Sequence, residues 1–414
     1  MTTRPMQIVF LLVLLVVQAA QATQLAQAAQ SLPAARSART AQAGQTAPAP
    51  LSVDPGYPRR VTDLAGRDVV LSQAPRRIYL ANGNHLMVLA LLDRENPLQR
   101  LAGWNDGIRA SDPSLWRVLQ ERWPETAQVP VLNLNGDINA GIEQLLALRP
   151  DLLVFNVEKQ AEIESGPLAS VARRLAIPIL YVDTSRDAVE HAPKTVAVLG
   201  RALGHETRAA AFVQDYGRRL ARIRQGLAGT AVRPRVFIEA RAGRMGLDQC
   251  CYTQGDTTWG RLIEAAGGRN LGSELLRGRT GEVPIERLIH DKPEVYLMTG
   301  TPQNRKGSRL IPFGYGAEPD TTRAALQALM ARQGLSWAAN APQACVHAVT
   351  HQFYDTPLNI VAVEFLAKVI HPALFPDIDA DRSYRELVDR YTHLPDTPFV
   401  FNTALRWDGA RCEE

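Results

Sequence analysis

The chain has 414 residues, 46% of them apolar and 21% charged, and a formal net charge of +4. That length holds two domains of ordinary size, each with its own core. Residues 1–56 carry +2 of the charge (Arg4, Arg36 and Arg39 against Asp54) and no Lys/Arg run follows, which excludes a nucleic-acid-binding surface.

The chain opens with the pattern of a cleaved secretory signal over residues 1–22. Arg4 precedes an uncharged apolar stretch, Ile8 to Gln18, and both Ala20-Gln21-Ala22 and Ala26-Gln27-Ala28 fit an A-x-A cleavage site. The apolar run is shorter than the ~20 residues of a membrane span. An uncleaved anchor is the alternative. No cysteine lies near the cleavage region, which argues against a lipid-anchored protein, and no other segment is built to cross a bilayer. Residues 23–56, rich in Ala, Gln, Pro and Ser, read as a low-complexity linker.

From Tyr57 the pattern becomes that of an α/β protein. Val61 to Leu71 predicts a hairpin turning at Ala65-Gly66-Arg67. Four apolar runs follow with helical stretches between them: Arg77 to Ala81, Leu98 to Trp104, Leu152 to Asn156 and Ile179 to Val182. Strands alternating with helices predict a mostly parallel sheet covered on both faces, here an N-terminal α/β lobe over residues 57–186. Residues 187–228 hold no strand-like run. Val196, Leu199, Leu203, Phe212, Leu220 and Ile223 recur at helical spacing, so this is a connecting helix or a pair of helices, up to ~50 Å long at 1.5 Å per residue. Gly200 and Gly204 mark the expected break.

A C-terminal α/β lobe over 229–395 resumes the alternation. Strands are expected at Arg235 to Ala240, Glu294 to Met298 and Cys345 to Val349. Helices are expected at Leu262 to Ala266, Ile285 to Ile289 and Thr321 to Arg332, with a final amphipathic helix over 356–371. Residues 396–414 read as a loose tail, although Phe399, Phe401 and Trp407 suggest that part of it packs.

One phrase occurs twice, 143 residues apart: Ile142-Glu143-Gln144-Leu145 through Pro150-Asp151 to Val154, and Ile285-Glu286-Arg287-Leu288 through Pro293-Glu294 to Leu297. Each reads as a short helix with an early glutamate, a Pro-acid stop and an apolar strand. Two copies of one αβ unit imply two similar lobes, and a cleft between lobes is where small ligands bind.

The four cysteines, Cys250, Cys251, Cys345 and Cys412, allow three pairings in an oxidising compartment. Adjacent cysteines close only a strained ring, and a bond from Cys250 or Cys251 to Cys345 is sterically easier; the sequence leaves the pairing open. No C-x-x-C is present, so neither a thioredoxin-like site nor a zinc ribbon is supported.

The order and spacing of these features over Val61 to Leu394 resemble the periplasmic substrate-binding proteins of ABC importers for iron-siderophore complexes, haem and vitamin B12. The resemblance rests on Pro75-Arg76-Arg77-Ile78 after the hairpin, the repeated phrase, the mid-chain helix, Leu262 to Asn270 and His351 to Pro372. Cys250-Cys251-Tyr252-Thr253 and His351-Gln352-Phe353-Tyr354 look most like the ferric-siderophore branch. The resemblance implies two α/β lobes joined by a helical backbone with the ligand between them. It also implies that Glu143 and Glu286, one per lobe, dock onto an inner-membrane permease. On the residues alone, an acid in a first helical turn is equally ordinary capping chemistry, worth up to ~1 kcal/mol.

Ligands of open α/β sheets bind beyond the carboxyl ends of the strands. That rule nominates Asn84, Trp104, Arg241, Arg244, Tyr252, His351 and Tyr354. The two arginines suit the negative charge of a ferric catecholate or carboxylate siderophore. Trp104, Tyr252 and Tyr354 suit stacking on its aromatic parts. The plainer alternatives are solvated loop charges and core-edge aromatics. His347 and His351 share a strand face, but no carboxylate or cysteine is spaced to complete a metal site.

Nucleotide-binding and hydrolase motifs are absent: there is no G-x-G-x-x-G after a strand, no P-loop and no G-x-S-x-G elbow. Glu239 and Asp248 are a possible carboxylate pair with no nucleophile to serve. The sequence therefore reads as a monomeric periplasmic binder of a ferric siderophore, with an ABC permease as partner and no cofactor, resident metal or catalysis. The rival readings are a haem or cobalamin binder, a direct Zn or Mn binder, and an exported α/β enzyme.

Overall fold

The structure is a computed structural model that describes residues 56–405 other than 135, 248–249, 303–307 and 336–345. The expected signal, nearly all of the linker, Asp248, Cys345, Cys412 and Trp407 lie outside the described residues.

The expected hairpin is β1 (Arg59–Thr62) against β2 (Asp68–Leu71). Its turn is held by the Asp63 carboxylate, which accepts from the backbone N–H groups of Ala65 and Arg67, while Gly66 takes the left-handed conformation that needs no Cβ. The first sheet is all parallel, in the order β4 (Leu101–Trp104), β3 (Ile78–Leu80), β5 (Leu152–Asn156), β6 (Ile179–Val182). All residues of β3 and β6 are buried, the continuous apolar run of a sheet covered on both faces. The second sheet holds β7 (Arg235–Glu239), β9 (Arg269–Asn270), β11 (Val295–Gly300), β13 (Val346–Thr350) and β15 (Asn402–Leu405) in the order β15-β13-β11-β7-β9. Only β15 runs antiparallel in it. Two short antiparallel ribbons complete the strands: β8 (Tyr252–Gln254) with β10 (Thr280–Glu282), and β12 (Gly314–Tyr315) with β14 (Phe399–Val400).

The repeated phrase builds the same local structure twice. Helix Ile142–Ala147 leads into β5, and helix Ile285–Asp291 leads into β11; each strand lies inside its sheet. In both copies the residue before the proline, Arg149 or Lys292, is left-handed, so the chain reverses sharply into the strand. The acid after the proline then anchors the neighbouring strand. Asp151 accepts from the backbone N–H of Arg76 and Arg77 (both 2.8 Å), and Glu294 from that of Arg235 (2.7 Å). Arg77 and Arg235 return the contact by donating to carbonyls at the helix end, Leu148 and Arg149 in one copy and Lys292 in the other.

Residues 188–227 form two helices, Ala188–Leu203 and Glu206–Leu227. Gly204, left-handed at φ 77°, ends the first. The helices fold back on each other, with Gly200 against Ala209 and the Tyr216 hydroxyl near the Val189 carbonyl. The result is a helical hairpin of about 24 and 33 Å arms and not a 50 Å rod. It is tied to the second lobe through Asn359, which donates to the Ala188 carbonyl (2.8 Å) and accepts from Tyr216 (2.8 Å).

Two C-terminal expectations need correction. Helix Ile360–Ile370 is buried on nearly every side and is not amphipathic, because it packs between other helices and the sheet; a further helix, Ala380–Tyr391, follows it. The segment expected to be a loose tail supplies β14 and β15, and Phe399 and Phe401 close an aromatic cluster with Phe353 and Tyr384. Among the described residues, no helix is long and apolar enough to cross a membrane.

A Cβ at Gly200 would overlap that of Ala209, whereas Gly217 is exposed with open space around it. Gly200→Val should therefore destabilise the protein by about 1–3 kcal/mol through overpacking. Gly217→Ala should stabilise it by about 0.5–1 kcal/mol. Denaturant unfolding of both variants checks this, and a harmless Gly200→Val would show that the helices do not pack there.

Candidate functional site

The carboxyl ends of both sheets face a common boundary, and one carboxylate spans it. Asp355 follows β13 in the second lobe and is 6% exposed. It accepts from three side chains of the first lobe: Thr184 after β6 (2.5 Å), and Asn84 (2.6 Å) and Asn82 (3.2 Å) after β3. Burial pushes its carboxyl up to about 6 against the three donors, with the Asp183 charge adding to the rise. Further bonds cross nearby. The Ser111 carbonyl accepts from Thr301 (2.6 Å) and Gln352 (2.9 Å), and the Ser114 hydroxyl accepts from the Tyr315 backbone N–H (3.1 Å).

Beside this bridge, the turn after β7 presents Arg241. Its backbone is left-handed (φ 53°), a strained conformation for a residue with a side chain. Two bonds to Thr299 hold it there, Arg241 N–H to the hydroxyl (2.8 Å) and Ala242 N–H to the carbonyl (2.9 Å). Gly243 is also left-handed, and a Cβ there would overlap the Arg309 carbonyl. Among the described residues the Arg241 guanidinium makes no ion pair, and its Nε is buried with no hydrogen-bond partner. A desolvated guanidinium nitrogen left unbonded is costly, since it gives up water for nothing.

His351 lies against it. Burial, reinforced by the Arg241 charge, holds its imidazole well below the usual value, so it is neutral. The Thr299 hydroxyl accepts from the Arg241 backbone N–H and shares a second hydrogen bond with His351 Nδ1 (2.7 Å). Tyr354 meets the His351 ring edge-on at 5.2 Å. Burial and the Asp355 charge raise its phenol, while Arg241 lowers it and Tyr252 raises it, which places all four in one neighbourhood. Arg244 stacks over Tyr252, 4.2 Å from the ring centroid, and pairs loosely with Glu282 at 3.7 Å.

The nominated residues thus divide. Arg241, Arg244, Tyr252 and Tyr354 gather at one face of the second lobe, next to buried His351. Asn84 is spent on Asp355, so it serves the bridge and has little left for a ligand. Trp104 is 0% exposed and stacks on Trp116 at 5.8 Å; it is core of the first lobe, because β4 turns its last side chain inward, and it is no ligand platform. Glu143 and Glu286 are exposed first-turn residues with no ion pair among the described residues. His347 packs edge-on against Phe365 and is held down to about 4 by burial, and among the described residues it joins no group of metal-ligating side chains. Glu239 is locked by Arg332 (2.8 and 2.6 Å) and by the Tyr296 hydroxyl (2.8 Å), which leaves it no role as a catalytic acid.

The structure also resolves the pairing of the adjacent cysteines: Cys250 and Cys251 are bonded to each other, both sulfurs lying against the Tyr296 hydroxyl. The bridging roles of Asp355 and Thr184, and the hold of Thr299 on Arg241, were not legible in the sequence. Each is an ordinary polar residue at a strand end, and only the fold brings them together.

Because the folded-state value of Asp355 is raised above its ordinary 3.8, its contribution to stability is fully present below that value and is lost as pH rises through about 6. The stability advantage of the wild type over Asp355→Asn should shrink between about pH 4 and pH 6.5. Unfolding curves of both proteins across that range check it; a difference constant with pH would place the titration elsewhere.

Residues 88–332, more than half of the chain, match the family described as periplasmic binding protein. A search of curated protein sequences finds no match. Solved structures share the fold. A TroA-like periplasmic binding protein FepB from Veillonella parvula is 22% identical over 84% of this chain and 99% of its own, with a TM-score of 0.76. The molybdate-bound MolA of Haemophilus influenzae is 16% identical over 82% and 100%, at 0.58. A CeuE of Helicobacter pylori in a Ni-His complex is 15% identical over 82% and 96%, at 0.55. The chain belongs to the periplasmic binding protein family, a family of substrate-binding transport proteins of the periplasm that partner an ABC transporter permease.

Proposed function

We propose that this protein captures a ferric siderophore, or a closely related anionic chelate, and delivers it to an inner-membrane ABC permease. The observation that carries the reading is Arg241. Its guanidinium sits in a strained turn at the lobe boundary, without a carboxylate and with Nε enclosed and unbonded. An anionic ligand supplies the missing acceptors, and the fixed fork of an arginine matches carboxylate and catecholate oxygens. Arg244 adds a second positive charge, and Tyr252 and Tyr354 add aromatic surface for the ligand body. His351 is neutral and bonded to Thr299, so it shapes the floor and does not bind a bare ion.

Binding needs no chemistry. Capture is followed by a small adjustment of the lobes, limited by the Asp355 bridge and the packed helical hairpin. The loaded protein docks through Glu143 and Glu286, whose matched positions at the starts of equivalent helices give each lobe one exposed carboxylate. Paired charges of this kind set register and on-rate at an interface. Residues 1–22 are its export signal, and it works as a monomer.

Two measurements bear on this reading. Arg241→Ala should weaken an anionic ferric chelate by about thirtyfold or more, the ~2 kcal/mol or more of a desolvated charge pair, while a neutral ligand such as cobalamin is little affected. Adding Arg244→Ala should weaken it further, and equal weakening of charged and neutral ligands would remove the charge role. The double variant Glu143→Lys/Glu286→Lys should abolish uptake in cells with ligand affinity intact; lost affinity would put these residues in the pocket or the fold.

A further inference from the structure

The face that carries the arginines also carries two sulfurs. Cys250 and Cys251 form a disulfide, and both Sγ atoms lie within 4.8 Å of a Glu239 carboxylate oxygen and of each other. Cys251 is fully buried. Cys250 is half-buried and lines a small cavity of about 20 Å³ together with Glu239, Arg241, Arg244 and Tyr252. A space of that size holds one water-sized species, which is also the size of one ion.

We infer that, once reduced, this pair is a binding site for a single thiophilic divalent cation. Thiolates are the protein ligands that select soft ions, and adjacent cysteines hold both sulfurs close to one point. Cys250 is the accessible member and lines the cavity, so an ion reaches its sulfur first. Glu239 stands beside the pair as an oxygen donor. Arg332 and Tyr296 occupy three of its acceptor positions, which leaves the carboxylate one unclaimed lone pair. Arg332 pairs with Glu239 in its buried place at 2.6 Å.

The disulfide gates the site. A small-molecule thiolate attacks Cys250 Sγ, the Cys250–Cys251 bond breaks, and Cys251 leaves as the thiolate. A second thiol resolves the mixed disulfide, so that two thiols are oxidised to one small-molecule disulfide as the two cysteines are reduced. The cation then displaces the two thiol protons and is held as a dithiolate. In the oxidised protein neither sulfur has a charge to offer, and the cavity serves the chelate site alone.

The test uses the full chain carrying Cys345→Ser and Cys412→Ser, so that only the adjacent pair remains. Oxidised protein, and protein reduced with dithiothreitol and desalted without oxygen, are titrated with Cd²⁺. The expected result is one equivalent bound per chain, with thiolate-to-cadmium absorption in the ultraviolet, in the reduced protein only. Cys250→Ser should lose that absorption and weaken binding at least about tenfold, the ~1.4 kcal/mol or more of a lost ligand. Binding that is equal in the oxidised protein or in Cys250→Ser overturns the site. So does a reduced protein that keeps its circular dichroism and binds no Cd²⁺, or one that unfolds on reduction. None of these outcomes bears on chelate binding by the oxidised protein, which is measured separately.

Discussion

A carboxylate buried at the boundary of two lobes must be compensated, and here the compensation comes entirely from the other lobe. Asp355 leaves the second sheet and is received by Asn82, Asn84 and Thr184 from the first. Separating the lobes would strand three donors and expose or orphan the carboxylate, so the contact fixes how the two sheets face each other. The same bridge fixes the five-residue turn His351–Asp355, and with it the positions of His351 and Tyr354. Thr299 passes that order on to Arg241 by accepting from its backbone and sharing a hydrogen bond with His351. The strained arginine is thus held by bonds that trace back to one carboxylate.

Each lobe is made rigid by its own copy of the αβ unit. The acid after the proline pins the neighbouring strand, and an arginine next to that strand caps the helix carbonyls. Rigid lobes and a packed helical hairpin leave little room for a wide opening, so ligand selection falls to the side chains at the boundary. There the balance is uneven: Asp355 is satisfied, Arg244 is loosely paired, and the buried Nε of Arg241 has no hydrogen-bond partner among the described residues.

Much of the architecture was legible because it is written in short-range patterns. The Pro-acid stops, the apolar runs of β3, β5 and β6, and the break at Gly204 are local features with local causes. For the candidate site, the rule that ligands sit beyond strand ends nominates Arg241, Arg244, Tyr252 and Tyr354, and the fold gathers these at one face of the second lobe. Trp104 obeyed the same rule and proved to be core, since the rule gives a position along the strand and not the side toward which the last residue points. Asn84 was correctly placed at the boundary, but its amide is taken by Asp355, a partner 271 residues away that no local pattern announces. Strands β14 and β15 were missed for a similar reason: their pairing partners, β12 and β13, are set by the tertiary fold, and short edge strands carry little pattern of their own.

The central claim is that an anionic chelate binds at Arg241 between the lobes. Trp259 is a built-in reporter, because its indole N–H donates to the His351 carbonyl (3.1 Å) on the turn that faces Arg241. The most direct measurement is a tryptophan-fluorescence titration of the oxidised protein with ferric catecholate, carboxylate and hydroxamate siderophores, haem, cobalamin, and free Zn²⁺ and Mn²⁺. The account predicts tight, saturable quenching by an anionic ferric chelate and none by the bare ions. Quenching by the bare ions alone, or no response to any anionic chelate, would contradict it.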